Sequence, residues 1–173
     1  VIDKYIRQLR ETAIDFKVIQ LGKNVGHGEA RRKGIAHCSN SFIALMDADD
    51  LSVPKRFEKQ MQYFIRHPEV SVVGGYITEF ITAKSPTDTA KRAGSRIVPE
   101  NDWEIKRYMR KRCPMNQVTV MFRKEDVSEV GGYMDWYCEE DYYLWIRLAL
   151  AGKIFGNIPE NLVYVRAGAE MYQ

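Results

Sequence analysis

Asp47, Asp49 and Asp50 follow directly on the unbroken apolar run Phe42-Ile43-Ala44-Leu45-Met46. Carboxylates held this close repel one another unless a cation sits among them. Hard oxygen ligands suit Mg²⁺ or Mn²⁺, ions that commonly carry a substrate's phosphates. A second acidic group, Glu139-Glu140-Asp141, stands at the head of the apolar pattern Leu144, Trp145, Leu148, Ala151. The macrodipole favours acids at a helix start, by up to about 1 kcal/mol each. One acid would satisfy that; three, placed after the aromatic stretch 133–137, point to chemical work for at least one. A third group is basic: Arg31, Arg32 and Lys33 follow the Gly- and Asn-rich turn 22–28, where free backbone N–H groups at a helix start make an anion site. Each group has a plainer reading. Asp49 and Asp50 would merely open the next helix, and Arg31 to Lys33 would form a solvated face.

The elements that position these groups follow from periodicity. A short apolar run without alternation reads as a strand buried on both faces, which usually means a parallel sheet with helices on each side. The acids then fall at the strand's C-terminal end, where open α/β sheets bind ligands. The expected fold is α/β with a mostly parallel central sheet flanked by helices. Helices are expected over 1–13, 29–37, 54–67, 101–112, 125–130 and from 139 to the cap at Gly152. Strands are expected over 16–21, 42–46, 70–80 with a bend at Gly74-Gly75, 118–122, near Ile154, and over 162–166. Residues 82–96, rich in Ser, Thr, Lys and Ala, read as a surface loop. Phe57, Met61, Phe64 and Ile65 are expected to face the core from their helix, and Ala30 and Gly34 to let theirs approach the sheet closely.

A chain of 173 residues suffices for one domain that buries about 70% of its extended-chain surface. The net charge of +3 with 28% charged residues is ordinary for an enzyme and comes with no nucleic-acid motif, so nucleic acid is not expected as a partner. Cys38, Cys113 and Cys138 have neither zinc nor dithiol spacing and fit reduced thiols in a cytoplasmic compartment. No apolar run approaches the roughly 20 residues of a spanning helix, so membrane contact, if made, is peripheral. The helix over 101–112 combines five basic residues with Trp103 and Tyr108, a composition that suits either an anionic membrane surface or plain solvent. The sequence lacks an initiator Met and opens inside a helical pattern, and it reads as a piece of a longer protein.

Taken together, Asn24-Val25-Gly26 with Ala30-Arg31, the strand ending Asp47-Ala48-Asp49-Asp50 with Pro54, Arg56 and Phe57 after it, and Glu140-Asp141-Tyr142 with Leu144-Trp145 resemble family 2 glycosyltransferases of the GT-A fold. The run 115–124 and the closing Tyr164-Val165-Arg166 resemble the bacterial branch that builds capsule, exopolysaccharide and lipopolysaccharide. The resemblance implies a Rossmann-like GT-A domain across 1–173 and an inverting transfer from a nucleotide-sugar donor, a UDP-sugar foremost, to a growing polysaccharide or lipid-linked glycan. It implies that Asp49 binds the divalent metal, Mn²⁺ or Mg²⁺, bridging the donor diphosphate, and that Asp47 contacts the ribose or base. Asn24 and Arg31 would lie near the nucleotide and Arg166 near the diphosphate. Asp141 would be the general base, kept ionised by the helix dipole, and Glu140 would orient the base or the acceptor.

Two departures accompany the resemblance. The family's opening strands, ending in an Asp-Asp-Gly-Ser-like turn, are absent, so an N-terminal truncation and a half-formed donor pocket are expected. The histidine that some members place after the last strand is replaced by Arg166-Ala167-Gly168, leaving Asp49, the diphosphate and water to hold the metal. Haloacid-dehalogenase-like phosphatases also carry Asp-x-Asp after a buried strand, but Asp50-Leu51-Ser52 does not continue their motif. A non-catalytic nucleotide- or glycan-binding remnant is the other alternative, and retention of both acidic groups speaks against it.

Overall fold

The computed structural model describes residues 14–81, 91–136 and 139–167. The helix expected over 1–13, Tyr137, Cys138 and Gly168 lie outside the described residues. Helix α1 spans His27–His37. Asn24 starts it, its Oδ1 accepting the Gly26 N–H at 2.9 Å, and Gly26 takes φ 79°, a left-handed conformation that costs glycine nothing. The close approach expected of Ala30 and Gly34 belongs instead to Gly28, where a Cβ would stand 2.7 Å from the Met134 carbonyl oxygen and 3.3 Å from Glu140 Cβ; Gly34 has open space. A glycine therefore sets how tightly α1 meets the chain just before Asp141.

The strands are β1 (Phe42–Ala44), β2 (Leu51–Ser52), β3 (Val70–Ile81), β4 (Lys91–Arg96), β5 (Met121–Arg123) and β6 (Ile154–Arg166). Their order is β1-β5-β3-β6-β2, with β4 paired to β3 beside that path. The expected parallel character is corrected: among the described strands only β3 and β6 run parallel, and the β1–β5, β2–β6, β3–β4 and β3–β5 pairings are antiparallel. An unalternated apolar run reports burial on both faces, not strand direction. Both faces are indeed covered. Val72 and Phe122 join a core with Leu144, Trp145 and Leu148, while their neighbours Val73 and Met121 face a second core with Phe64 and Leu162.

Helix α2 (Arg56–Arg66) packs on the second core and α5 (Glu140–Leu150) on the first, with α3 (Asp102–Tyr108) and α4 (Lys124–Glu129) completing the helices. Leu144, Trp145 and Leu148 are fully buried as expected, whereas Ala151 is exposed. Several boundaries move. The α3 helix is shorter than the pattern 101–112 because the chain turns after Met109. Residues 82–90 of the expected loop lie outside the described residues, and its last part, Lys91–Arg96, is strand β4 and not loop. The two short final strands are one, with irregular register opposite Gly75 and Tyr76. Residues 16–21 form no strand, because no described neighbour offers them a ladder, and Phe16, Val18 and Ile19 are exposed.

Candidate active site

The acidic loop 47–50 lies between β1 and β2 and is anchored at both ends. After Ala44 the first strand leaves its ladder, and the Leu45 carbonyl takes a hydrogen bond from Arg56 Nη2 at 2.7 Å. The same Nη2 also reaches the Val120 carbonyl at 3.3 Å, and Arg56 Nε donates to Gln60 Oε1 at 3.1 Å. Arg56 and Gln60 are fully buried, while Phe57 is 54% and Ile65 74% exposed, so of the expected apolar stripe of α2 Phe64 and Met61 face the core, and Arg56 and Gln60 stand inward where Phe57 and Ile65 were expected. These polar groups are inside because backbone carbonyls there need donors, and burial lowers the Arg56 guanidinium to about 10. Polar residues at i and i+4 on a helix with an otherwise apolar face were the available signal for this pair.

At its other end the loop is tied to β6. The Arg166 N–H donates to Asp50 Oδ1 at 2.9 Å and its Nε to the Asp49 carbonyl at 3.0 Å. Asp50 is thereby occupied; burial foremost, with Asp49 and Asp47 adding to it, raises its pKa against the opposing Arg166 bond. The Asp47 side chain is half exposed and Asp49 is exposed.

Arg31 joins the two acidic groups. From the second turn of α1 its Nη1 donates to Glu140 Oε1, across 109 residues of chain, and its Nη2 stands 3.9 Å from Asp47 Oδ1. The guanidinium also lies 5.9 Å from the ring centroid of Tyr133, a buried residue. Glu140 is 6% exposed, so this ion pair is largely out of water. Asn24 and Glu140 share a small pocket of about 260 Å³ on this side of α5.

Asp141, one residue on, faces the other way. It lines a pocket of about 530 Å³ together with Asn116, Gln117, Cys113 and Val165. Asp49 is not in that wall; it adjoins it through Arg166, the residue after Val165. The expected effect of the helix dipole on Asp141 is outweighed. Burial raises its pKa, Glu140 adds to the rise, and the Tyr142 N–H bond at 2.7 Å and Arg31 oppose it. A carboxylate raised toward neutral pH is a stronger proton acceptor once ionised. The same pocket holds Cys113, whose thiol burial pushes up to about 11. Among the described residues no set of three or more His, Cys, Asp or Glu is arranged to hold a metal.

The sequence matches the profile of glycosyl transferase family 2 over residues 2–124. The chain belongs to glycosyl transferase family 2. This family 2 chain is 42% identical over 161 residues to an uncharacterised glycosyltransferase of Haemophilus influenzae, covering 93% of this chain and 58% of that protein. It is 30% identical over 170 residues to the UDP-Gal:α-D-GlcNAc-diphosphoundecaprenol β-1,3-galactosyltransferase of Escherichia coli, covering 98% of this chain and 58% of that one. It therefore spans less than two thirds of these relatives' lengths. In fold it is similar to the mannosyltransferase of Pyrobaculum calidifontis in complex with GDP-Man and Mn²⁺, with a TM-score of 0.67 at 13% identity, over 98% of this chain and 45% of that one. The fold is that of the GT-A glycosyltransferases.

Proposed function

We propose that this family 2 chain carries the catalytic half of an inverting glycosyltransferase that moves a sugar from a UDP-sugar to a lipid-linked or growing cell-surface glycan. The observation that carries the reading is the Arg31 bridge, which holds Asp47 at the end of the first strand and Glu140 at the head of α5 in one site. In this reading Asn24, Arg31 and Asp47 hold the nucleotide, Arg166 faces the diphosphate, and Asp141 receives the acceptor from the large pocket. The acceptor oxygen forms its bond to the anomeric carbon as the bond to the diphosphate breaks, and the hydroxyl proton passes to Asp141. Glu140, paired with Arg31, fixes the helix start from which Asp141 projects.

The donor set fits a hard cation completed by substrate: Asp49 and Asp47 offer solvent-facing carboxylate oxygens, and Asp50 is spent on Arg166. Mn²⁺ or Mg²⁺ bound by Asp49 would neutralise the departing diphosphate. A screen of UDP-, GDP- and dTDP-sugars for nucleotide release by the complete protein, with Mn²⁺ and with chelator, tests the reading. UDP release that needs metal is expected. Asp49→Ala should abolish metal-dependent UDP binding and leave the unfolding transition in place; binding of UDP and Mn²⁺ equal to the parent's would remove Asp49 from the metal site.

A lipid-linked acceptor places the enzyme at the inner face of a membrane. No described helix is long and apolar enough to cross one. The surface of α3 suits peripheral contact: Trp103 is 65% exposed with the Arg107 guanidinium 5.2 Å from its ring centroid, and basic residues attract anionic lipid. Reversing the charges of Arg107 and Arg110 should weaken sedimentation with vesicles rich in anionic lipid, and unchanged sedimentation would remove α3 from the contact.

A further inference from the structure

The small pocket on the Arg31 side of α5 carries an aromatic platform that the transfer itself does not use. Trp136 is 55% exposed, yet its indole is held. One face lies on Tyr143, with ring centroids 4.7 Å apart and planes 30° from parallel, and the Arg147 guanidinium stands 4.7 Å from the Tyr143 centroid. Arg147 is anchored in turn, Nη1 donating to the Val130 carbonyl at 2.5 Å and Nη2 to the Gly132 carbonyl at 2.6 Å. The Glu139 N–H donates to the Trp136 carbonyl at 3.1 Å, which ties the backbone of the platform to the start of α5. An exposed indole fixed in this way offers a large contact area with little side-chain entropy left to lose on binding.

Around the indole the pocket is narrow and polar. Asn24, His27, Asp135 and Glu140 share its wall with Gly26. A Cβ on Gly26 would come to 3.5 Å from Asp135 Oδ1, so the missing side chain keeps the floor open. The volume of about 260 Å³ lies just under the roughly 300–1,000 Å³ of sites for drug-sized ligands and admits one six-membered ring with its substituents. An apolar plate beside hydrogen-bonding groups suits a ring with C–H groups on one face and hydroxyls around its rim, which is a pyranose. Among the described residues no Lys or Arg lines the pocket, so an anionic ring would meet the Asp135 and Glu140 carboxylates without compensation. Asp141 lines the other pocket, and a ring on Trp136 therefore lies across the first turn of α5 from it.

We propose that Trp136 is the platform of a second saccharide site, which grips a glycan by a neutral pyranose that does not itself react. The ring lays its C–H face on the indole, and its hydroxyls donate to Asp135. The site recognises the body of a glycan instead of its reacting end, and its two carboxylates turn uronic acids away. The inference rests on the proposed function only in taking Asp141 as the residue that meets the reacting hydroxyl; the binding itself is independent of transfer.

The test titrates the complete protein with methyl β-galactopyranoside and methyl β-glucopyranoside, followed by saturation-transfer NMR. At least one of them is expected to bind, with the strongest transfer to the ring C–H groups of a single face. Trp136→Ala should weaken that binding at least tenfold, while Trp136→Tyr, which keeps an aromatic plate, should stay within about threefold of the parent. The corresponding methyl uronide should bind at least tenfold more weakly than the neutral sugar, and added UDP with Mn²⁺ should leave the sugar bound. Absence of binding by both sugars, transfer spread evenly over the ring, unchanged affinity in Trp136→Ala, a loss in Trp136→Tyr as large as in the alanine variant, or equal binding of the uronide would overturn the proposal. Displacement of the sugar by UDP would overturn it as well, giving the pocket to the nucleotide. The donor screen on the same samples keeps the two readings apart. A protein that releases UDP yet binds the sugars no better than Trp136→Ala refutes this inference alone; one that binds them through Trp136 and releases no nucleotide refutes the transfer reading alone.

Discussion

Asp141→Asn in the complete protein is expected to lower turnover by about 10²- to 10⁴-fold, the loss that accompanies removal of a general base, and to leave UDP affinity nearly unchanged. The substitution keeps the side-chain shape and an oxygen able to accept the Tyr142 N–H bond, which is 2.7 Å long in the parent, and removes only the capacity to take a proton. Burial raises the Asp141 pKa, and the reaction needs the deprotonated form. Turnover should therefore rise with pH through a limb placed above the ordinary aspartate range, and that limb should vanish in the variant.

Stability provides the control. An acid with a raised folded-state pKa favours folding most below its unfolded pKa, and that contribution is lost as pH rises through the folded one. At neutral pH the parent carries this burden and the asparagine does not, so Asp141→Asn should unfold at no lower denaturant concentration than the parent. Near-normal turnover would send the search for the base to Glu140, whose carboxylate is already engaged by Arg31.

Arg31→Ala should be among the most destabilising single changes at this site. Glu140 is 8% exposed at its side chain and Arg31 is its closest cationic partner, so the alanine leaves a buried carboxylate with only the exposed His27 ring, 3.8 Å away, and removing one partner of a buried pair costs about 3–5 kcal/mol. Denaturant unfolding at neutral pH measures it. The double variant Arg31→Met/Glu140→Leu should recover most of the loss, since replacing both members of a buried pair with apolar groups is often close to neutral. UDP binding should not recover, because Arg31 also reaches toward Asp47 and presents its charge to the nucleotide in the proposed function. A loss below about 1 kcal/mol in Arg31→Ala would show that water, not Arg31, solvates Glu140.

The family, the acidic loop after the first strand, the acidic head of α5 and the helices α1, α2 and α5 were all legible in the chain. Each depends on residue type and on spacing over a few turns: apolar positions at helical period, Asn24 and glycine where α1 begins, Gly152 with φ 75° where α5 ends. What the sequence could not specify was everything that depends on partners far along the chain. Strand direction is one case, since β3 and β6 run parallel while β3 and β5 do not, yet all three are equally apolar where they meet. Residues 16–21 are another, because β-branched composition makes a strand only where a neighbour completes the ladder.

Arg56 and Gln60 are inside because carbonyls far along the chain need donors, those of Leu45 and Val120 taking Arg56 and those of Val73 and Thr119 taking Gln60. Residue types announced Arg31, Asp47, Glu140 and Asp141 as polar groups with chemistry to perform. Only the tertiary structure put one cation between Asp47 and Glu140, and turned adjacent acids, Glu140 and Asp141, into two different pockets with different burial. Periodicity states which side of an element is covered, whereas the energy of a charge depends on what covers it, and here that is supplied by residues more than a hundred positions away.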